Sequence, residues 1–375
     1  SITPFVLYRP FEFIRNYVNH EEIPIKLLGG GRDRDYGYLG FSHWAEDDKK
    51  IMKTFENIRS YWPDSQKELE EVVDNFLFDN KPSYLSLKRW NQLVTGAAGF
   101  LGRTVSQYFR DKGYEVYSLA RQDLDVSDQK QVEDWFDNNK VDIVVHTATK
   151  GGRRNEYDSY ENFTTNLKMF ENLIRQRSKF SMMINFGSGA EFDRRNNIDK
   201  FKEHQVLDFL PEDFYGLSKN MITRKILRHN ANIYNFRLFG CFGKDEKEDR
   251  ILKILYSGIK NQKKVSIESK KNMDFFYDID VCKAIEFYID NHQIKKLPKD
   301  VNLVYEKKRN IEDISILLET ILGQTNSNLS LNKTETSDYT GSWEVCSDTF
   351  PDGLFFGFEI ALEKIYGRSW CLMLK

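Results

Sequence analysis

The stretch from Asn91 to Gly102, NQLVTGAAGFLG, constrains the fold of this chain more than any other feature. It predicts a short apolar strand, a glycine turn and the start of a helix. Gly96, Gly99 and Gly102 have the spacing G-x-x-G-x-x-G, and so tight a turn needs residues without a Cβ if backbone N–H groups are to approach a pyrophosphate. A second apolar stretch over 114–119 completes a βαβ unit. In that context the glycine spacing predicts a dinucleotide-binding turn.

Composition excludes several classes of protein. The chain has 375 residues, 40% hydrophobic and 30% charged, with a formal net charge of −2, which is typical of a soluble globular protein without affinity for nucleic acid or membranes. Its 4 cysteines are far apart in the sequence, so we expect neither a metal site nor a disulfide framework, and we expect a cytoplasmic location. No apolar run of about 18 residues predicts a membrane span.

Residues 1–89 precede the glycine turn and need their own explanation. Strands are expected over 23–28, 58–62 and 82–87, and helices over 49–55 and 65–77. Alternating strands and helices of this kind predict part of a parallel α/β layer.

This N-terminal segment resembles the pyrimidine-binding domain of transketolase-like, thiamine-diphosphate-dependent enzymes. The similarity rests on the pieces RPFEFIRN, IPIKLLGGG, YGYLGFSHWAEDDKKIM and PSYLSLKR, and it covers only the later part of that domain. No residue matches the family's thiamine-activating glutamate, so the resemblance does not imply transketolase activity. It implies docking to a second copy of the chain or to a transketolase-like partner, because that family builds its sites between subunits.

Hydrophobic periodicity continues the α/β pattern beyond the glycine turn. Ser127 is expected to cap a helix, and further helices are expected over 160–174 and from Tyr215 onward. Buried strands are expected over 141–146 and 180–186.

Several residues at the predicted strand ends are candidates for contact with a dinucleotide. Arg121 follows the second strand, where an arginine suits a 2′-phosphate, although it is alternatively an ordinary solvated charge. Asp125 and Val126 are expected to flank the adenine. The small residues Thr147-Ala148-Thr149 would let a cofactor lie across the sheet, and Asn166 lies off the apolar stripe of its helix.

Three residues further along the chain predict proton-transfer chemistry. Ser188 stands just past a strand end, where open α/β sheets bind their ligands. Tyr215 and Lys219 are four residues apart and so share one helix face. An ammonium near a phenol would lower the pKa of the phenol, and such a tyrosine can exchange a proton with a substrate alcohol or carbonyl. Ser188 would hydrogen-bond the same substrate oxygen.

The order of these motifs resembles the extended short-chain dehydrogenase/reductases that act on nucleotide sugars. The similarity covers residues 91 to 375 and rests on TGAAGFLG, DLDVSD, HTAT, NFGSGAEF, YGLSK, NFRLFGCFG and DFFYDIDVCKAI. It implies catalysis by Ser188, Tyr215 and Lys219. It implies cofactor binding by the following residues: Gly96, Gly99, Phe100, Leu101, Gly102, Arg121, Asp125, Val126, Thr147, Ala148, Thr149, Asn166, Tyr215 and Lys219.

Departures from the motifs of that family reduce the number of reactions that the chain is expected to catalyse. Sugar dehydratases carry an acidic pair after the catalytic Ser/Thr, whereas this chain has Gly189 and Ala190. The cysteine and histidine of GDP-fucose synthases match Ala190 and Asp245, so neither elimination nor 3,5-epimerisation is supported. Ser188 and Gly189 remain candidates for sugar binding, and Arg250 is a candidate for the sugar nucleotide's phosphates.

The sequence therefore predicts a Rossmann-type, doubly wound parallel sheet over 90–375, with a small substrate lobe mainly from about 238 onward, preceded by a partial α/β segment over 1–89. The predicted function is an NADP- or NAD-dependent reductase of a 4-keto sugar nucleotide. A nucleotide-sugar 4-epimerase with tightly bound NAD is the alternative enzyme. A non-catalytic partner of a transketolase-like enzyme is an alternative of another class.

Overall fold

The computed structural model describes residues 2–32, 41–63, 66–88, 90–152, 157–268, 270–293, 295–325, 329–332 and 337–367. Residues 33–40, which follow the first strand, and Cys371 lie outside these ranges. The chain divides into two compact units. The first unit comprises Ser1–Asn91 and Arg110–Glu115, and the second comprises Gln92–Phe109 and Val116–Lys375. No helix among the described residues is both long and apolar enough to cross a bilayer.

The first unit is a small α/β layer. Its parallel sheet has the strand order β1-β3-β2. The strands are β1 (Lys26–Gly30), β2 (Arg59–Tyr61) and β3 (Ser83–Leu87), and the helices are α1 (Phe11–Phe13, between the π-helical turns Pro4–Tyr8 and Ile14–Asn19), α2 (Asp48–Met52) and α3 (Gln66–Phe78). Asp48 is buried, and its carboxylate accepts hydrogen bonds from Trp62, Tyr84 and Ser86. Three donors therefore satisfy this buried carboxylate.

A six-stranded sheet organises the second unit and confirms the predicted Rossmann-type architecture. The strand order is β5-β4-β6-β7-β9-β14, and β4, β6, β7, β9 and β14 pair in parallel. The strands are β4 (Asn91–Thr95), β5 (Glu115–Leu119), β6 (Ile143–His146), β7 (Met182–Ser188), β9 (Ile233–Leu238) and β14 (Asp300–Asn302). After β4 the chain adds β5 on one side of β4 and then β6, β7, β9 and β14 on the other side, so the direction in which strands are added reverses between β4 and β6. Ligands bind at such a switch point in open α/β sheets.

Helices cover both faces of this sheet. They are α4 (Phe100–Asp111), α5 (Gln129–Asn138), α6 (Tyr160–Arg175), α7 (Phe214–Arg228) and α9 (Asp278–Asn291). Leu93, Val144 and Met183 share one core with α5, α6 and α7. On the other face Tyr234 and Phe236 pack edge-on against Tyr288 of α9, with ring centroids 4.9 and 4.8 Å apart. The sheet is thus doubly wound.

Short strands and helices from the C-terminal third form a smaller lobe. Its four-stranded sheet, β15-β12-β17-β8, includes β8 from just after Ser188, so the lobe draws on chain well before residue 238. The strands are β8 (Ile198–Phe201), β10 (Cys241–Phe242), β11 (Val265–Glu268), β12 (Asn272–Met273), β13 (Phe276–Tyr277), β15 (Arg309–Asn310), β16 (Leu329–Asn332) and β17 (Tyr339–Gly341), and the helices are α8 (Ile251–Lys260), α10 (Ile311–Leu322), α11 (Glu344–Thr349) and α12 (Phe358–Tyr366).

A row of buried polar side chains crosses the central sheet at one register. Thr95, His146, Asn185, Asn235 and Asp300 are successive partners on five neighbouring strands. Thr95 Oγ1 lies 2.8 Å from His146 Nδ1, Asn185 Nδ2 donates to Asn235 Oδ1 (2.7 Å), and Asn235 Nδ2 donates to Asp300 Oδ1 (2.8 Å). We call these five residues the polar row. Because residues in register on parallel strands share a face, the row lies together on one side of the sheet.

Candidate active site

The glycine turn joins β4 to α4 with a close approach that only glycine permits at two positions. Gly96 has φ +70°, and a Cβ added there would lie 2.6 Å from the Cα of Ala148. A Cβ on Gly102 would lie 2.5 Å from the carbonyl oxygen of Gly96. At Gly99 the nearest atom would be that same oxygen at 3.2 Å, and no second atom of the described residues, apart from the chain neighbours of Gly99, would lie within 4 Å. The turn therefore packs tightly against its neighbours, yet leaves one backbone face open beside the first turn of α4. This arrangement fits a diphosphate, which helix N-termini bind through free N–H groups.

Residues 147–149 border this turn at the carboxyl end of β6. The Thr147 hydroxyl donates to the carbonyl oxygen of Thr95 at 2.6 Å, which fixes the neighbouring strand ends to each other. Ala148 is partly exposed and Thr149 is exposed. The small residues therefore leave the edge of the sheet accessible beside the glycine turn.

Ser188, Tyr215 and Lys219 come together although they lie on two different elements. Ser188 ends β7, and α7 carries Tyr215 in its first turn and Lys219 one turn later. The Ser188 hydroxyl lies close enough to the Tyr215 phenol to affect its pKa. The Lys219 ammonium donates to the carbonyl oxygen of Phe186 at 2.8 Å and lies 5.9 Å from the centroid of the Tyr215 ring. The backbone of Gly152 closes the other side of the phenol, because a Cβ there would lie 2.6 Å from the ring.

Burial controls the pKa of both members of the Tyr/Lys pair. It lowers the pKa of Lys219 to about 8, against a smaller opposing effect of the Glu191 carboxylate. Burial raises the pKa of Tyr215, and the nearby Ser188 hydroxyl and Arg194 guanidinium only partly offset that rise. The expected lowering of the Tyr215 pKa by Lys219 was therefore wrong for this structure. The ammonium is directed to a backbone carbonyl, and desolvation disfavours the phenolate.

Two further residues lie at this site without having been predicted from sequence. The Arg194 guanidinium is 5.7 Å from the Tyr215 ring centroid and donates to Asp213 at 2.8 Å. Tyr339, from β17, lies close enough to Ser188 for the hydroxyl to oppose the rise that burial causes in the pKa of Tyr339, and its ring packs edge-on against Phe239 with ring centroids 5.3 Å apart. Both lie outside the recognised motifs in sequence, and Tyr339 is held near the site by the pairing of β17 with β8 and β12.

Comparison with known proteins identifies the family to which this geometry belongs. The model of the NAD dependent epimerase/dehydratase family matches residues 92–303, more than half of the chain. The chain belongs to the NAD-dependent epimerase/dehydratase family. It is accordingly an NAD(P)-dependent enzyme of the nucleotide-sugar class, as the sequence predicted.

Individual relatives of this family are distant. GDP-L-colitose synthase of Yersinia pseudotuberculosis is 20% identical over 253 residues, covering 62% of this chain and 82% of the relative. Among solved structures, MlghC, the GDP-mannoheptose C4 reductase from Campylobacter jejuni with NADP bound, superimposes with a TM-score of 0.63 at 16% identity, covering 74% of this chain and 97% of the reductase. At that identity the likeness shows the fold.

A third match concerns a different family. An apulose-4-phosphate transketolase subunit of Actinobacillus succinogenes is 30% identical over 87 residues, which is 23% of this chain and 28% of that relative. The match is about as long as the N-terminal segment. The transketolase-like character of residues 1–89 stays a prediction.

The structure changes the interpretation of two predicted cofactor residues in this family member. Val126 is 5% exposed, with its side chain in the core beneath the sheet, so only its backbone can face an adenine. The Asn166 amide is occupied, because it accepts from the Lys150 N–H and donates to the Lys150 carbonyl and to Ser218. Asn166 thus supports the loop after β6 from behind and is not free to bind a cofactor.

Arg121 and Asp125 lie just beyond the end of β5 and form an ion pair with each other. Arg121 Nε donates to Asp125 Oδ2 at 3.1 Å, and the Arg121 side chain is 75% exposed. Burial alone would raise the pKa of Asp125, but hydrogen bonds from Ser127 and the Arg121 guanidinium together lower it. The guanidinium is thus accessible to a 2′-phosphate, which would compete with Asp125 for it.

The predicted substrate residues separate into two places. The ring of Tyr339 lies against Gly189, where a Cβ would be 2.8 Å from Tyr339 Cζ, so this glycine makes room for the aromatic wall of the site. Arg250 precedes α8, where its Nε lies 3.5 Å from Glu246 Oε1. Among the contacts described for it, none joins Arg250 to Ser188 or Tyr215. No cluster of three metal-ligating side chains occurs in the described ranges.

Proposed function

We propose that the chain is an NAD(P)-dependent reductase of a 4-keto sugar nucleotide. The observation that carries this proposal is the placement of Ser188 beside Tyr215 at the carboxyl edge of the sheet, with the Lys219 ammonium buried one helical turn beyond the phenol. A hydroxyl and a protonated phenol that lie side by side can both be directed to one carbonyl oxygen.

Each side chain has a distinct role in this proposal. The glycine turn over Gly96–Gly102 would hold the cofactor diphosphate, and the nicotinamide, when bound, supplies hydride. Ser188 would orient the substrate carbonyl by hydrogen bonding, and Tyr215 would give its proton to the oxygen as negative charge develops there. The raised pKa of Tyr215 favours this role, since it keeps the phenol protonated at neutral pH. Lys219 would carry positive charge beneath the phenol and contact the nicotinamide ribose.

NADP is the proposed cofactor. Arg121 offers an exposed guanidinium beyond the end of β5, and a 2′-phosphate would form charge-assisted hydrogen bonds with it. MlghC, whose fold this chain shares, was solved with NADP bound.

The alternative enzyme is a 4-epimerase, which would use the same three side chains and keep NAD bound through each turnover. Gly189 and Ala190 provide no acid or base beside Ser188, so elimination and 3,5-epimerisation are less well supported. A reductase consumes one reduced cofactor for each product, whereas an epimerase consumes none. Absorbance at the reduced nicotinamide band during turnover separates the two.

For the N-terminal segment we propose a docking role, with a domain boundary near residue 89. Phe13, Leu77 and Phe78 of the first unit are exposed, Phe78 to 77%. Exposed aromatic and aliphatic side chains on a small α/β layer favour contact with a second copy or with a transketolase-like partner. In the alternative of another class, docking would be the chain's whole function.

The test of the reductase proposal is Tyr215→Phe. We expect cofactor affinity to change little and kcat on a 4-keto sugar nucleotide to fall on the order of 10² to 10⁴, since the proton donor is lost. Stopped-flow absorbance of the reduced cofactor and a fluorescence titration of its binding provide the two measurements. Undiminished kcat in the variant would remove Tyr215 from the mechanism, and a wild-type protein inactive on every 4-keto sugar nucleotide tried would remove the reductase assignment.

A further inference from the structure

Ser188 and Glu191 form a reciprocal cap just beyond the end of β7. The Ser188 N–H donates to Glu191 Oε1 at 2.8 Å, and the Ala190 N–H donates to Ser188 Oγ at 3.2 Å. A hydroxyl has one hydrogen and two lone pairs. With one lone pair taken by Ala190, the Ser188 hydroxyl still has its hydrogen and one lone pair for the phenol and the substrate. The cap therefore fixes both the backbone and the bonding directions of Ser188.

The second carboxylate oxygen of Glu191 is also fully bonded. Glu191 Oε2 accepts from Arg237 Nε at 2.9 Å, from Arg237 Nη2 at 2.8 Å and from Thr223 Oγ1 at 2.9 Å. The Glu191 side chain is completely buried. Gly187 provides the space it occupies, since a Cβ at that position would lie 2.4 Å from Glu191 Oε1. The absence of a side chain at Gly187 thus leaves room for this carboxylate.

Arg237 is held from its other side by the last strand of the sheet. Its Nη2 donates to Asp300 Oδ2 at 2.6 Å, and its Nη1 donates to Asn302 Oδ1 at 2.8 Å. Asp300 also ends the polar row. We call Glu191, Arg237 and Asp300 the Glu191 network. Removing one partner from a buried ion pair leaves an uncompensated charge in the interior, so such a network holds its members in one arrangement.

The charge of Glu191 also reaches the catalytic pair. The carboxylate raises the pKa of Lys219 and the pKa of Tyr215. Burial raises the pKa of Glu191 itself, and Arg237 opposes that rise. The titratable and charged groups around the carboxylate and the phenol are Arg237, Asp300, Lys219, Tyr215, Tyr339, Arg194, Asp213 and His146.

We propose that Glu191 is a positioning residue for Ser188, acting through the Ser188 amide and kept in place by Arg237. This inference rests on the proposed reductase function, in which Ser188 orients the substrate carbonyl. A displaced serine would still let substrate and cofactor bind, because neither affinity depends mainly on it. The loss would fall on the chemical step, where small errors of orientation are costly.

The experiment compares Glu191→Gln with Glu203→Gln. Glu203 is a matched control, since its carboxylate is also buried and accepts one backbone N–H, that of Asn302, at 2.8 Å. In Glu191→Gln the amide oxygen would stay with the charged donors of Arg237, so the NH₂ group would face the Ser188 N–H, which sets donor against donor. We expect kcat to fall roughly ten- to a hundredfold, with the KM values for both substrates within about twofold. Glu203→Gln should retain wild-type kcat.

The pH profile adds a measurement that a purely structural defect would not move. Reduction needs a protonated Tyr215, so kcat falls as pH rises through the pKa of the phenol. Loss of the Glu191 charge lowers that pKa, so the high-pH limb of kcat should shift to lower pH in Glu191→Gln and stay in place in Glu203→Gln. Wild-type kcat with an unshifted limb in Glu191→Gln would overturn the inference, and so would equal losses in both variants.

A measurement without substrate keeps the inference separate from the proposed reaction. Hydrogen exchange of the Ser188 amide can be followed by NMR in ¹⁵N-serine-labelled protein, and the Ser188 signal can be assigned with Ser188→Ala. The exchange rate should increase about tenfold in Glu191→Ala, because the amide loses one hydrogen bond to a charged group. Exchange should remain slow in Glu203→Gln. Unchanged exchange in Glu191→Ala would refute the positioning role even if the wild-type protein reduced no sugar tested. Wild-type inactivity with accelerated exchange would refute only the reductase proposal.

Discussion

Lys219 is a buried cation, and replacing it should stabilise the protein while abolishing its activity. Burial lowers the pKa of Lys219 from 10.5 to about 8. Each unit of pKa shift corresponds to about 1.4 kcal/mol, so at pH 7 the charged lysine destabilises the native state by about 3 kcal/mol. In Lys219→Met the carbonyl oxygen of Phe186 loses its donor, which costs about 1 kcal/mol. We therefore expect the variant to be more stable than the wild type by about 2 kcal/mol at pH 7.

The stability difference between Lys219→Met and the wild type should decrease as pH rises. The folded pKa lies below the unfolded one, so between about 8 and 10.5 the unfolded state binds more protons and the stability of the wild type rises with pH. At about pH 10 the penalty has fallen to about 1 kcal/mol by the same linkage, and the advantage of Lys219→Met should have disappeared. The advantage is complete below a pH of about 8 and is lost as pH rises from there to 10.5.

Guanidinium denaturation of wild type and variant at about pH 7 and pH 10, followed by circular dichroism, measures this difference. Effects of pH on the rest of the protein cancel in the comparison. Lys225→Met is the control, because Lys225 lies on the same helix but is 42% exposed and paired with Glu171. A stability difference for Lys219→Met that is the same at both pH values would show that the ammonium is not desolvated as the structure indicates.

Two further predictions concern the cofactor and the N-terminal segment. Arg121→Ala should weaken NADP binding about ten- to a hundredfold and leave NAD binding nearly unchanged, because only NADP carries the 2′-phosphate; calorimetric titration of both cofactors measures this, and equal wild-type affinities for NAD and NADP would contradict it. A protein that starts at Trp90 should still bind cofactor but lose a protein contact, which light scattering alone and with a transketolase-like partner would detect. Loss of cofactor binding would place residues 1–89 in the catalytic unit, and unchanged assembly would remove the docking role.

The backbone plan could be predicted from sequence because local patterns encode it. The spacing of Gly96, Gly99 and Gly102 between an apolar strand and an amphipathic helix predicts one βαβ unit, which is found. The predicted start of a helix was less accurate where two adjacent residues can both act as the N-cap. The helix after β5 is capped by Asp128, whose side chain accepts from the Gln131 N–H, whereas the sequence favoured its neighbour Ser127.

Part of the site depends on contacts between residues far apart in sequence, which no local pattern encodes. Tyr339 reaches Ser188 only through strand pairing, and the direction of the Lys219 ammonium depends on the carbonyl of Phe186. The pKa of Tyr215 follows from burial, which cannot be deduced from the Y-x-x-x-K spacing. Glu191 and Arg237 each look like ordinary surface charges in the sequence, yet they form the buried pair beside the catalytic serine.

The polar row has a consequence for how this sheet can vary. Each of its side chains is bonded to a group on a neighbouring strand, so changing Asn235 alone to an apolar residue would take a partner from both Asn185 and Asp300. If these strands slipped by one residue, Val94, Val145 and Ile184 would take the positions of Thr95, His146 and Asn185, and the polar side chains would point to the opposite face of the sheet. The row therefore acts as a lock on strand alignment, and it should be inherited as a unit: related chains would keep all of its members or replace bonded neighbours together.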